Sequence, residues 1–356
     1  MAAMGEFMED HASWWCEIAD FSRNEIGKDA HVVRETPPSP PLPLLIWHGL
    51  GDQYDAPGLH TIGDLAQEIH PDTYVHYIRL APSGSEDRRA TFFGNLTEQL
   101  DVVCTSLRED ERIWNRNPHH QKVDALGFSQ GGQFLRGLIE TCEGLRVRSL
   151  VTVGAQHNGI AAIGRTCGTW DFLCKGAVAV MRGNAYTEYV QGNVVPAQYY
   201  RTLNDTKEGG GDKEEEEPEP VDEYLEFSNF LARVNAERKE EREEKKNEMY
   251  KARLTRLQKF VMVVFEDDTT VIPKESGWFA EVNRTSGKVT LLRERKLYRE
   301  DWIGLKALDE KSALVFESME GDHMQLDDEV LSSLFEKYFG PEKAAAEDGE
   351  TETETL

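Results

Sequence analysis

Apolar residues in this chain fall into two alternating patterns. Short runs of strand length occur at Leu44-Leu-Ile-Trp47, Tyr74 to Leu80, Val123 to Phe128, Leu150-Val-Thr-Val153, Lys259-Phe-Val-Met-Val-Val-Phe265 and Leu314-Val-Phe316. Between them apolar side chains return every three or four positions, as at Leu96, Leu100, Val103 and Leu107, at Phe134, Leu135, Leu138 and Ile139, and from Leu326 to Tyr338. Strand and helix in repeated succession predict an α/β fold whose strands pair in parallel, with both faces of the sheet covered. The rhythm stops after Gly154-Ala-Gln-His-Asn-Gly159 and resumes near Phe260. The interval, 156–258, holds Trp170-Asp-Phe-Leu173, Val178, Val180, Met181, Tyr186, Tyr189 and Tyr199-Tyr200. It reads as a largely helical, apolar insertion able to wall a hydrophobic groove, or more plainly as a subdomain closing its own core. Glu237 to Gln258, rich in Lys and Glu, reads as one exposed helix.

The chain of 356 residues suits one large domain, expected over 41–340, with flanking segments at 1–40 and 341–356. A proline-rich linker, Pro37-Pro-Ser-Pro-Pro-Leu-Pro43, leads into the first strand. The formal charge of -25 argues against a nucleic-acid partner, whose phosphates it would repel. Much of that acidity is local, in 207–220 with its Glu214-Glu-Glu-Glu217 run and in the tail from Glu347, and these stretches read as disordered. No run of eighteen apolar residues occurs, so no transmembrane segment is expected, and residues 1–36 show no signal peptide.

The stretch Lys122-Val-Asp-Ala-Leu-Gly-Phe-Ser129-Gln-Gly-Gly132 joins a strand to a helix through a G-x-S-x-G turn. The serine of such an elbow is strained, so Gly127 and Gly131 must be small for strand and helix backbones to approach. Its hydroxyl is presented at the C-terminal edge of the sheet. The amide of Gln130 opens the helix, where partial positive charge meets a developing oxyanion. Any glycine-rich strand-to-helix turn fits the same pattern, but the strand before and the helix after favour a nucleophile. His48-Gly-Leu-Gly-Asp52 follows another strand end, and Leu50 between its glycines is the natural second oxyanion donor.

A serine nucleophile needs a base, and the base an acid, delivered from strand ends in the order Ser, acid, His. His48 and His119 precede the serine. His157 follows the very next strand, where it can line the site but is poorly placed as the base. His323, in Glu317-Ser-Met-Glu-Gly-Asp-His323 after the last strand, is the candidate base. Phe265-Glu-Asp-Asp-Thr-Thr-Val271 supplies the acid: Asp268 is favoured because the re-entrant turn Val271-Ile-Pro273 follows it, with Asp267 as the alternative. Asp322 carries little weight, since sequence neighbours seldom bring their side chains face to face.

Five blocks, Trp47-His-Gly-Leu-Gly-Asp52, Gly127-Phe-Ser-Gln-Gly-Gly-Gln-Phe-Leu-Arg136, Ser149-Leu-Val-Thr-Val-Gly-Ala-Gln-His157, Lys259-Phe-Val-Met-Val-Val-Phe265 and Glu320-Gly-Asp-His-Met-Gln-Leu326, stand in this order. Together they resemble the palmitoyl-protein thioesterases of the lysosomal type, a likeness running from Pro41 to Gly340. The resemblance implies an α/β-hydrolase fold, a triad of Ser129, Asp268 and His323, and oxyanion donors at Leu50 and Gln130. It implies a serine thioesterase that removes palmitate-like acyl chains from S-acylated proteins or peptides through an acyl-enzyme, with no cofactor and no metal, in a lysosomal or vacuolar lumen. It also matches disulfide pairs Cys104–Cys142 and Cys167–Cys174, where the residues alone leave buried free thiols equally open, and it leaves Cys16 without a partner. Sequons at Asn95, Asn204 and Asn283 add weak support for a glycoprotein of an oxidising lumen, against which the start of the chain stands. Taken by themselves, the residues leave two other readings open: a lipase or carboxylesterase cleaving oxygen esters, and a non-catalytic acyl-chain binder.

Overall fold

The structure, a computed structural model, describes residues 39–114, 122–163, 167, 172–181, 183–203, 220–238, 241–283 and 286–342. The N-terminal segment, Cys16, Asn204 and nearly all of the acidic linker and tail lie outside them.

Strands β1 (Leu44–Trp47), β2 (Val75–Tyr77), β3 (Val123–Phe128) and β4 (Val147–Val153) are followed by the two-residue β5 (Ala162–Ile163) and by β6 (Lys259–Phe265). Three more two-residue strands, β7 (Val271–Ile272), β8 (Glu281–Val282) and β9 (Val289–Thr290), precede β10 (Leu314–Met319). One sheet takes the order β10-β6-β4-β3-β1-β2, every neighbouring pair parallel. From β1 the chain moves to one side for β2, then returns to the other side of β1 with β3 and continues outward. The connections therefore diverge at the β1/β3 pair, and a crevice opens beyond its carboxyl ends, where ligands of such sheets bind. Topology and chemistry meet there, because the loop from His48 and the turn at Ser129 both emerge at that point.

Alternation along the strands divides the core between two faces. Leu45, Trp47, Ala125, Leu150, Phe260 and Met262 join one buried cluster with helices Leu96–Glu109 and Gln130–Thr141. Leu44, Ile46, Leu126, Val151, Val261 and Val263 join the other, with helices Pro57–Ile69 and Asp328–Tyr338. This is the parallel α/β sheet, covered on both faces, that the rhythm of the sequence predicted. Disulfides link Cys104 to Cys142, bridging two helices of the first face, and Cys167 to Cys174, at the start of helix Phe172–Met181.

β2 is shorter than the expected Tyr74 to Leu80, and two other elements differ from the expectation. β10 runs three residues past Phe316 because it is an edge strand, half exposed, so polar Glu317 and Ser318 interrupt its apolar run. The Lys/Glu-rich helix spans Glu241–Leu254 and is not simply solvated. Leu254 and Leu257 are buried, and Arg253 donates to the carbonyls of Glu140 and Thr141 at 2.7 and 2.9 Å, at the end of helix Gln130–Thr141. Long charged side chains cover apolar surface with their stems, which hides a packed face from a reading of charge.

Residues of the insertion are fastened to the scaffold by buried polar groups. Gln198 accepts the Leu96 N–H at 2.8 Å. Arg201 donates to Glu237 at 3.0 Å and pairs with Glu281, which also meets Arg295 at 2.7 Å. Tyr224 donates to Glu237, and Arg295 donates to Asn158 at 2.9 Å.

Candidate active site

β3 ends at Phe128, and the next residue, Ser129, has a φ of 49° and ψ of -122°, where residues with a β-carbon are strained. The two glycines of the elbow serve different neighbours. A β-carbon on Gly127 would come within 2.4 Å of Gly132 Cα, the strand-to-helix approach expected of it. One on Gly131 would come within 2.3 and 2.4 Å of the carbonyl oxygens of His48 and Trp47, so Gly131 instead lets the helix lie against the end of β1.

The three polar residues singled out from separate parts of the chain meet here. His323 Nε2 lies 3.0 Å from Ser129 Oγ, and its Nδ1 lies 2.7 Å from Asp268 Oδ2. With the proton on Nδ1 the imidazole donates to Asp268 and accepts from the serine hydroxyl, the tautomer a general base requires. Asp268 Oδ1 accepts the N–H groups of Thr270 and Val271, both at 2.8 Å, so the turn after β6 holds the carboxylate still. Asp267 is exposed and only its backbone reaches across, donating to Gly321 O at 3.0 Å. Of the two acids the chain order allowed, Asp268 is the one on the imidazole.

Leu50 lines the same cavity as Ser129, and Gln130 follows the serine in the chain. Gln130 begins the helix, and Gly49 abuts the serine so closely that a β-carbon there would lie 3.2 Å from Ser129 Cβ. Among the described residues neither the Leu50 nor the Gln130 amide donates to a protein acceptor. A clamp that sequence reasoning missed fixes the first loop. Buried His48 Nε2 lies 2.8 Å from Asp87 Oδ2, and Asp87 also accepts the N–H groups of Tyr54 and Leu80. Arg88 donates to Gly51 O at 2.7 Å, and Thr91 Oγ1 accepts the Gly51 N–H at 2.9 Å. Asp87 sits in a short polar helix, Gly84–Ala90, with no local pattern to mark it.

A cavity of about 1290 Å³ opens on Ser129 and His323. Leu59 and Ile62 line it together with Ile160, Ala177, Val178 and Tyr199, the last four from the insertion. The Tyr199 hydroxyl donates to Gln130 Oε1 at 2.8 Å, tying the insertion wall to the helix behind the serine. The volume exceeds the roughly 300–1,000 Å³ usual for small-molecule sites.

Residues 43–323 match the family model described as palmitoyl protein thioesterase. The chain belongs to that family. It is 33% identical over 301 residues to palmitoyl-protein thioesterase 1 of Caenorhabditis elegans, covering 84% of this chain and 92% of that protein. A similar likeness, 34% over 305 residues, extends to a palmitoyl-protein thioesterase-dolichyl pyrophosphate phosphatase fusion of Schizosaccharomyces pombe, covering 85% of this chain and 44% of that longer protein. Lysosomal thioesterase PPT2-B of Xenopus laevis is 23% identical over 283 residues, covering 79% of this chain and 90% of that protein. Family membership makes the chain a thioester hydrolase.

His157 is close to this centre in sequence yet does not line the cavity. It is fully buried, stacked on Phe279 at 5.0 Å, with Nε2 3.0 Å from Thr152 Oγ1, and its carbonyl accepts from Arg136. Arg136 also pairs with buried Glu140 at 2.9 Å. Burial, reinforced by Arg136, holds the His157 imidazole well below its ordinary pKa, whereas burial pushes the Glu140 carboxyl up to about 7 against the pull of Arg136. The two act oppositely on stability. The His157 contribution is present above the unfolded value and lost as pH falls below 6.5, because only the unfolded imidazole takes up a proton. The Glu140 contribution is present below 4.5 and lost as pH rises towards 7. Thermal midpoints from pH 7 to 5 should therefore rise on acidification in His157→Gln and fall in Glu140→Gln, each relative to the parent. Curves parallel to the parent would show that neither group titrates with folding.

Proposed function

We propose that the chain hydrolyses long-chain fatty acyl thioesters on protein or peptide cysteines, with Ser129 as nucleophile, His323 as general base and acid, and Asp268 as its orienting carboxylate. Ser129 Oγ attacks the thioester carbonyl while His323 takes the hydroxyl proton. The carbonyl oxygen gathers negative charge between the Leu50 and Gln130 amides. The intermediate collapses, the carbon–sulfur bond breaks, and His323 returns the proton to the departing thiolate, leaving an acyl-serine. A water deprotonated by His323 then attacks the acyl-serine, releasing the fatty acid and restoring Ser129. Every proton in this scheme moves through one imidazole, so no cofactor is required.

The observation that carries the reading is the hydrogen-bonded chain of Ser129, His323 and Asp268 opening directly onto the apolar cavity. A thioester has a good leaving group, so holding the acyl chain is the demanding part. Each buried methylene is worth about 0.8 kcal/mol, and a long apolar slot separates palmitoyl from short acyl groups by several such increments. Residues 41–340 form the hydrolase domain in this reading, with the insertion as its acyl-binding wall. Names of several relatives specify lysosomal thioesterases, which together with the two disulfides supports a lysosomal or vacuolar lumen.

Rapid acid quench of the enzyme with an S-palmitoyl peptide, followed by peptide mass mapping, should place the acyl adduct on the peptide containing Ser129. The thioester should turn over faster than the oxygen ester of matched sequence. An adduct elsewhere would overturn the assignment of the nucleophile, and equal turnover of the oxygen ester would favour a general esterase.

A further inference from the structure

The loops bearing Asp268 and His323 leave neighbouring strands, β6 and β10, and their parallel pairing continues past the strand ends. Glu266 N–H donates to Met319 O at 2.9 Å and Asp267 N–H to Gly321 O at 3.0 Å. Side chains then take over. Asp268 and His323 make one link across the loops, and the adjacent residues, Thr269 and Asp322, make a second. Asp322 Oδ1 accepts the Thr269 N–H at 2.8 Å and the His323 N–H at 2.7 Å. The Thr269 hydroxyl lies 3.0 Å from each Asp322 oxygen. One carboxylate thus grips both the residue after the acid and the backbone amide of the base.

We propose that Asp322 is a positioning residue for the reaction described above, holding the two loops at the separation that keeps the imidazole within reach of both Ser129 and Asp268. The proposal rests on the assignment of Ser129, His323 and Asp268 to that reaction. Backbone geometry explains why such a brace is needed. Gly321 and Met324, on either side of Asp322 and His323, both have positive φ, at 98° and 62°. Gln325 adds a local tie, accepting the Asp322 N–H at 2.9 Å and donating its own N–H to Asp322 O at 2.9 Å. The Thr269 N–H, then the His323 N–H and the Thr269 hydroxyl, hold the Asp322 carboxyl below the usual carboxylate range, so it remains charged in mildly acidic solution. The imidazole is faced by Asp268, by Ser129, by the Phe265 ring and by Gly154, with Met324 next in the chain. Among the described residues, Asp268 and Asp322 are the charged groups bonded to His323.

The test is kcat and KM against pH for a soluble palmitoyl thioester, with thermal midpoints taken alongside, in the parent, Asp322→Ala, Asp322→Asn and Thr269→Val. Asp322→Ala should lower kcat about ten- to a hundredfold with KM changed by less than about twofold, since it loosens a reacting geometry rather than a binding surface. Loss of a nearby negative charge disfavours the imidazolium, so the acid limb of the kcat/KM profile should move to lower pH. Asp322→Asn keeps an acceptor oxygen without the charge; it should restore most of kcat while retaining the shifted limb. Thr269→Val keeps the N–H and loses the hydroxyl, and should fall between parent and Asp322→Ala.

A profile for Asp322→Ala that superimposes on the parent overturns the proposal. So does a loss of kcat that Asp322→Asn fails to restore, with the limb unmoved. Should Asp322→Ala not fold, parent-like kcat in Thr269→Val together with an unmoved limb in Asp322→Asn overturns it as well. Ser129→Ala separates the two levels. Turnover surviving in that variant removes the assignment of the nucleophile, whereas an inactive Ser129→Ala beside an unaffected Asp322→Ala removes only the role given to Asp322.

Discussion

Ser129→Ala should lower kcat/KM for a palmitoyl thioester by on the order of 10⁴- to 10⁶-fold, the loss expected when the nucleophile of such a triad is removed. Stability should change by no more than about 1 kcal/mol, because among the described residues the hydroxyl makes one hydrogen bond, to His323, and alanine keeps the rest of the side chain. The strained backbone at φ 49° is unaltered, since alanine retains the β-carbon. Residual activity should come from the Leu50 and Gln130 amides and from acyl-chain binding, and KM should stay close to that of the parent. Steady-state kinetics with a thermal melt on the same preparation separates these effects. A variant that keeps a tenth of the parental turnover at an unchanged melting temperature would exclude Ser129 as nucleophile.

That expectation is reachable from the sequence because its parts leave local marks. The glycines around Ser129 are forced because a β-carbon at either would fall 2.3–2.4 Å from backbone atoms, so the elbow is written into five consecutive residues. Chain order then narrows the base to His323, since a doubly wound sheet offers its strand ends in sequence. The choice between Asp267 and Asp268 is less legible. It depends on which carboxylate turns inward after β6, and the turn that decides it is closed by Thr270 and Val271 amides rather than by any residue type.

What stays hidden has one physical character: polar pairs between distant segments with no periodicity of their own. Asp87 braces the His48 loop from 39 positions away, and Thr269 meets Asp322 across 53. Edge strands blur for a related reason. β2 and β10 are only partly buried, so their patterns lack the nearly continuous apolar run that marks β6.

Arg201→Met should destabilise the fold by about 3–5 kcal/mol, the scale for stripping one partner from a buried ion pair. Burial works against the Arg201 charge, yet Glu237 and Glu281 more than offset it and hold the guanidinium well above its ordinary pKa. Burial alone would likewise raise the Glu281 carboxyl, but Arg201 and Arg295 hold it below the usual range. With Arg201 gone, Glu281 keeps Arg295, whereas Glu237 retains only the Tyr224 hydroxyl among the described residues. Glu237 is then the group left buried and uncompensated. Adding Glu237→Gln to Arg201→Met should recover about 1–2 kcal/mol, since a neutral amide still accepts from Tyr224 without an unpaired charge. The backbone of Arg201 links this network to the cavity: its N–H donates to Ile160 O at 2.8 Å, and the Ile160 N–H donates to Tyr199 O at 3.0 Å. Ile160 and Tyr199 both wall the cavity, so any Arg201→Met protein that still folds should show a raised KM for palmitoyl thioesters and little change for short-chain ones. Denaturant unfolding checks the first effect and an acyl-length series the second. A stable variant with parental chain-length selectivity would mean that the network neither supports the fold nor shapes the acyl slot.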